Sequence, residues 1–178
     1  MRIVETSLAG VCIVEPDLVV DERGFFGCIF DQDILAERGM CTSFPQWSVS
    51  FNHRQGTLRG LHWQADPYSE VKLVRCTRGA IFDVAVDIRP ASVNYARWVG
   101  VDLSADNHRT LYIPSGFAHG FQTLADDCEV LYHISEQYDS SLARGVRFDD
   151  LQIGVKWPTA PTRIISQRDQ DLPWLRDL

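Results

Sequence analysis

The chain has 178 residues, 45% of them hydrophobic and 11% aromatic, which is enough for one well-buried core and short for two domains. Lysine and arginine number 17 against 24 aspartates and glutamates, and the net charge of −7 argues against nucleic acid or an anionic membrane as partner. No apolar run reaches the length of a transmembrane helix, Met1 to Thr6 lacks the apolar core of a signal peptide, and five scattered cysteines without a C-x-x-C pair fit reduced thiols in a cytoplasm better than a disulfide framework or zinc knuckle.

In chain order, Val11 to Val14 and Leu18 to Val20 read as short strands broken at Pro16-Asp17, with a turn at Asp21-Glu22-Arg23-Gly24. Phe25 to Phe30 reads as an aromatic strand. Asp31 is a candidate cap for a short helix through Ile34, Leu35 and Arg38, stopped by Gly39. Strands then follow near 47–53, 57–64, 70–77, 80–88, 97–103, 110–113, 119–124 and 128–135, punctuated by glycine and proline. Many short strands at regular spacing predict an all-β sandwich or barrel. After Tyr138 the pattern turns irregular, with Trp157-Pro158 and Leu172-Pro173-Trp174 as apolar anchors for a tail lying across the barrel. No repeat or linker interrupts the chain, so residues 1–178 form a single domain.

Two segments concentrate ionisable groups within apolar strands: Gly56 to Gln64, containing Arg59 and His62, and Glu70 to Cys76, containing Lys72 and Arg75. Buried charges are costly unless paired or used. Strict alternation puts Leu58, Gly60, His62 and Gln64 on one face and Thr57, Arg59, Leu61 and Trp63 on the other. If both segments share one curved sheet, His62 and Lys72 project into the same cavity. The alternative is a satisfied core histidine and a snorkelling lysine.

A second histidine turn, Pro114-Ser115-Gly116-Phe117-Ala118-His119, joins the first to resemble the two cupin motifs, which implies an all-β cupin-like barrel or jelly roll with a few short helices. Gly56, His62, Gln64, Glu70 and Gly79 shadow the first cupin motif. Metal-binding cupins use histidine where this chain has Gln64, and a neutral amide oxygen is a poor replacement for imidazole. His62 and His119 as metal ligands are therefore disfavoured.

A narrower resemblance runs along nearly the whole chain. Asp21-x-Arg23-Gly24-x-Phe26, Gly56 to His62 with Gln64, Lys72-Leu73-Val74-Arg75, Asp83-Val84-x-Val86-Asp87-x-Arg89, Pro114 to Phe121 and Glu129-Val130-x-Tyr132 look like the dTDP-4-dehydrorhamnose 3,5-epimerase family. Gly145 to Asp150, Trp157-Pro158 and Ile165-Ser166-x-x-Asp169 continue it. The resemblance implies epimerisation at C3, C5 or both of a nucleotide-linked 4-keto-6-deoxyhexose, without metal or other cofactor, in a homodimer that exchanges N-terminal strands. It implies His62 as base, oriented by Asp169, Lys72 as the cation at the enolate oxygen, and Tyr132 as the acid on the opposite face. Arg23 and Arg59 are implied contacts for the diphosphate and His119 for the sugar or phosphate. Gln46 and Ser48 fall where the family meets the nucleotide, Arg168 stands where it often has a lysine, Tyr138 lines the same pocket, and Phe26 is an implied substrate contact. The rhamnose-pathway enzymes carry glutamates where this chain has Cys28 and Ala143, and a small polar residue where it has Trp47, so the reaction type is read more firmly than the substrate. Arg75, Arg78 and Arg89 read as structural or solvated. Competing readings are a 3,4-ketoisomerase on similar substrates, a metal-dependent cupin oxygenase, and a sugar-binding barrel without catalysis.

Overall fold

A computed structural model describes residues 1–178. Its first strands are β1 (Arg2–Glu5), β2 (Cys12–Glu15), β3 (Val19–Asp21) and β4 (Gly24–Phe26), followed by helix α1 (Gln32–Glu37). Strands β5 (Gln46–Asn52), β6 (Leu58–Gln64), β7 (Lys72–Arg78), β8 (Ala80–Asp87) and β9 (Trp98–Ser104) come next. They are followed by β10 (Thr110–Ile113), β11 (Phe117–Thr123), β12 (Cys128–Ile134) and β13 (Ala143–Gly145). Helix α2 (Gln167–Gln170) and a 3₁₀ turn at Leu175–Asp177 end the chain. No helix is long and apolar enough to cross a membrane.

The strands build two facing sheets, one ordered β1-β2-β10-β7-β12-β5 and the other β13-β6-β11-β8-β9. All their pairings are antiparallel. The expected all-β, cupin-like jelly roll is what forms. Between the sheets lie Val74, Cys76, Leu111, Ile113 and Val130 from one and Ile81, Ala85, Leu103 and Phe121 from the other, all almost inaccessible to water. Burial of such side chains drives the closure, each valine, leucine, isoleucine or phenylalanine worth about 1.5–3 kcal/mol.

Both outer faces are partly covered, which explains why β11 is buried at all seven positions. The tail lays Val146, Ile153, Trp157 and Leu175 over Leu61, Val84, Val86 and Ala118 on the outside of the five-stranded sheet. The Trp157 indole donates to the Phe148 carbonyl at 2.8 Å. The anchoring role expected for Trp157 holds. On the six-stranded sheet, Met40, Cys41 and Phe44 cover Cys12, Val14, Leu73 and Tyr112. Helix α1 begins where expected, because Asp31 accepts from the backbone N–H groups of Asp33 and Ile34 at 3.0 and 3.1 Å.

Several local expectations change. Strand β1, the short strand β13 and helix α2 carry no clear sequence period, and each forms through its pairing or packing partner. The aromatic strand expected over Phe25 to Phe30 is only Gly24–Phe26; Gly27 to Phe30 has no ladder partner. β3 and β4 pair only with each other, as a separate two-stranded sheet. The segments around His62 and Lys72 do not share a sheet: β6 and β7 lie in opposite sheets. Arg75 donates to the His108 carbonyl, Arg89 is paired with Asp87, and Arg78 is exposed near Asp127, so these three are structural or solvated, as expected.

Candidate active site

A cavity of about 590 Å³ opens between the two sheets. The six-stranded sheet contributes Gln46, Ser48 and Ser50 from β5, Lys72 from β7 and Tyr132 from β12. The five-stranded sheet contributes Arg59, His62 and Gln64 from β6, His119 from β11 and Ala143 from β13. Tyr138 and Glu136 line it from the loop after β12, and Arg168 and Asp169 from α2.

Arg59 and His62 share this cavity although strict alternation would separate them. Opposite them, Arg59 pairs with Phe121 and His62 with His119, so three steps on β6 match two on β11. The extra residue is a bulge, and it reverses the side-chain phase. Glycine is required there: Gly60 has φ +131°, and a Cβ at that position would stand 2.6 Å from the Gly120 Cα and 3.0 Å from the His119 carbonyl oxygen.

His62 is held by a carboxylate 107 residues away in sequence. The tail returns to β6 through Leu58 N–H donating to Ile164 O at 2.8 Å and Ile164 N–H donating to Gly56 O at 3.0 Å. Ser166 then caps α2 by accepting from Asp169 N–H at 3.1 Å. This brings Asp169 Oδ1 to 2.7 Å from His62 Nε2, while Gly60 N–H donates to Oδ2 at 3.3 Å. Burial opposes ionisation of Asp169, but the His62 hydrogen bond and charge, Gly60 N–H and Arg168 outweigh it and hold the carboxyl below its usual range. The His62 Nδ1 has no protein partner, so Nε2–H donating to Asp169 leaves a lone pair on Nδ1.

Across the cavity, burial pushes the Tyr132 phenol well above its usual range. Nearby Ser50 and Arg59 act the other way without cancelling that effect, and the Asp83 charge reinforces it. The Tyr132 ring lies 6.0 Å, centroid to centroid, from His119 in an edge-to-face arrangement. His119 Nε2 in turn meets Asp83 Oδ1 at 2.7 Å. Asp83 is fully buried, its Oδ2 has no partner, and burial raises its carboxyl despite the opposing influence of His119 and Lys72. Sequence reading missed Asp83 as a site residue, although its place among the apolar residues of β8 marked it as polar or paired.

Lys72 Nζ is 2.8 Å from Glu70 Oε1 and donates to the His62 carbonyl at 3.3 Å. Arg59 Nε donates to Asn52 Oδ1 at 2.8 Å, which fixes the guanidinium beside β5. Gln46 accepts from Tyr138 N–H at 2.8 Å and so pins the loop that carries that ring. Gln64 is fully occupied: its amide donates to the carbonyls of Tyr68 and Gln137 and accepts from Asp139 N–H. No three His, Cys, Asp or Glu side chains are grouped to hold a metal ion, because each cavity histidine is committed to its own aspartate.

The structure therefore brings together His62, Lys72, Tyr132, Asp169, Gln46, Ser48, Arg59, His119, Tyr138, Ala143 and Arg168. Four of the expected site residues are elsewhere. Arg23, Phe26 and Cys28 sit on or just after the β3–β4 hairpin, exposed, with Arg23 paired to Asp21. Trp47 is on the outer face of β5, its indole donating to the Phe44 carbonyl and packing edge-on to His133 at 4.1 Å. The period of two explains Trp47: its neighbours Gln46 and Ser48 point inward.

A family model described as dTDP-4-dehydrorhamnose 3,5-epimerase matches residues 5–177. The chain belongs to that family. It is 44% identical over 178 residues to the dTDP-4-dehydrorhamnose 3,5-epimerase of Methanothermobacter thermautotrophicus, covering 99% of this chain and 95% of the relative. Among solved structures, it resembles a Legionella pneumophila epimerase in complex with dTDP-4-keto-L-rhamnose, with TM-score 0.93 and 36% identity over 98% of this chain and 93% of that one. It also resembles a 3'-monoepimerase of Streptomyces bikiniensis in complex with dTDP-quinovose, with TM-score 0.90 and 30% identity over 97% and 87% of the two chains.

Proposed function

We propose that this epimerase inverts C3, C5 or both in a dTDP-linked 4-keto-6-deoxyhexose, with His62 as base and Tyr132 as acid. The observation that carries this reading is the origin of these two side chains in opposite sheets, so that a sugar ring between the sheets meets one on each face. His62 Nδ1 takes a proton from the carbon beside the ketone, and the C–H electron pair becomes the carbon–carbon double bond of an enolate. The ketone π pair moves onto the C4 oxygen, where the Lys72 ammonium offsets the developing charge. The enolate then takes a proton from the Tyr132 hydroxyl on the other face, which inverts the carbon. Solvent resets both groups. A phenol raised above its ordinary value of about 10 keeps its proton at neutral pH until the enolate claims it.

Arg59 and Arg168 suit the diphosphate, since guanidinium forks match phosphate oxygens. Gln46, Ser48, Tyr138 and Ala143 suit the nucleotide end, and His119 held by Asp83 adds a fixed polar contact. A second copy of the chain completes the site. The β3–β4 hairpin exposes the cross-strand pair Val19 (71%) and Phe26 (79%) on one face and Val20 (73%) on the other, apolar surface that isolated β-ribbons do not sustain in water. Docked on a partner, it would deliver Arg23, Phe26 and Cys28 to the partner's cavity. The uncovered Trp47, Val49 and Phe51 on the outer face of β5 suit the same association. The five free cysteines suit the reducing cytoplasm.

Deuterium incorporation, followed by NMR in D₂O with dTDP-, GDP- and CDP-linked 4-keto-6-deoxysugars, tests the function. Exchange at C3 or C5 of the dTDP sugar with inversion is expected. Carbonyl migration would indicate a ketoisomerase, and no exchange on any sugar would overturn the reading.

A further inference from the structure

Glu70 occupies the place of the cupin glutamate in the sequence pattern, yet no metal cluster forms around it. Its carboxylate is instead shared between the two sheets. Oε1 pairs with Lys72 Nζ at 2.8 Å, at the start of β7, and Oε2 accepts from Gln64 N–H at 2.7 Å, at the end of β6. The ion pair is largely shielded from water, the glutamate side chain buried at 8% exposure and the lysine half-buried at 12%. The connection carrying Glu70 is itself pinned, because Gln64 Nε2 donates to Tyr68 O at 2.7 Å and to Gln137 O at 3.1 Å.

We propose that Glu70 is a positioning residue that holds the Lys72 ammonium at the reacting carbonyl. This inference rests on the epimerase reading above. A lysine carries three donors on a flexible four-carbon stem, so its location is set by what it bonds. Here one donor goes to Glu70 and a second to the His62 carbonyl at 3.3 Å. The third is left for an oxygen in the cavity, next to the base. The benefit appears when negative charge develops on that oxygen, so the effect falls on kcat more than on KM.

The test compares wild type, Glu70→Gln, Lys72→Ala and the double variant in exchange and turnover of the dTDP-linked 4-keto-6-deoxyhexose, with dTDP affinity and Tm measured on the same samples. Glu70→Gln should lower kcat by about 10-fold to 100-fold, the rate equivalent of one hydrogen bond between charged groups, with KM and dTDP affinity within about threefold of wild type. In the Lys72→Ala background it should add less than about threefold, since Glu70 acts through the lysine. Glu70→Asp, which keeps the charge but is too short for both partners, should fall between wild type and Glu70→Gln; it serves alone if the glutamine variant does not fold. A Glu70→Gln kcat within threefold of wild type, a loss of Tm without loss of kcat, or losses that multiply with Lys72→Ala would overturn the positioning role. If wild type itself exchanges no carbon-bound proton, the epimerase reading fails and this role falls with it. An active wild type with an unaffected Glu70→Gln removes the positioning role alone.

Discussion

Replacing Asp169 with asparagine probes the geometry around His62, the base of the proposed reaction. In the native site Gly60 N–H donates to Oδ2 and His62 Nε2–H donates to Oδ1. The amide oxygen of asparagine can keep the Gly60 contact only by turning its NH₂ towards His62 Nε2. That nitrogen must then accept, and the proton moves to Nδ1, the nitrogen needed as base. The lost charge matters as well. A hydrogen bond to a charged group is worth about 1.5–3 kcal/mol, and the His62 side chain is 39% exposed, so the lower half of that range applies. Adding about 1 kcal/mol for the wrongly favoured tautomer gives roughly 3 kcal/mol, or about 10²-fold at 1.36 kcal/mol per decade. The assay is the initial rate of deuterium entry at C3 and C5, with dTDP affinity as control. An exchange rate within threefold of wild type would refute the assignment of Asp169 as the partner that sets the His62 tautomer.

Tyr132→Phe should spare exchange more than inversion, since only the second proton transfer is lost; NMR of the exchanged, uninverted sugar would reveal it, and equal loss of both would sink the two-face scheme. Mixing His62→Ala with Arg23→Ala chains, each nearly inactive alone, should restore about a quarter of wild-type activity, because half the dimers are hybrids with one intact site if Arg23 acts on the partner. No recovery after mixing would mean that Arg23 does not work across the interface. Gly60→Ala should destabilise the fold by several kcal/mol and remove activity, since the side chain meets Gly120 and His119 at a backbone angle only glycine adopts readily; a Tm within about 2 °C of wild type would contradict this. The depressed Asp169 carboxyl contributes stability that is present above its unfolded value of about 3.9 and is lost as pH falls through the lower folded value. Stability of Asp169→Asn should accordingly fall less than that of wild type on acidification below about pH 4 in chemical denaturation, and parallel curves would refute it.

Local chemistry was legible in particular places. The Asp31 cap, the short strands from β5 to β12 and the tail anchor at Trp157 follow from side-chain preferences and periods that act within a few residues. Motif order along the chain was enough to name the family and most of the cavity residues, including Asp169. Alternation alone misplaced Arg59 relative to His62, because a bulge depends on what β11 offers opposite β6. Asp83 looked merely polar in β8 until His119 arrived beside it from β11. The Phe25 to Phe30 stretch is apolar enough for a strand, yet a strand needs a neighbouring edge, and within one chain only Gly24–Phe26 finds one.

The sequence by itself determined that the chain is all β, which family it belongs to, and that a histidine, a lysine and a tyrosine stand in strands where bare burial would be costly. The tertiary structure decided which faces they share. Placing β6 and β7 in opposite sheets lets His62 and Lys72 line one cavity, and the return of the tail brings Asp169 to His62 from 107 residues away. Such contacts depend on sheet order and packing, which no local period encodes.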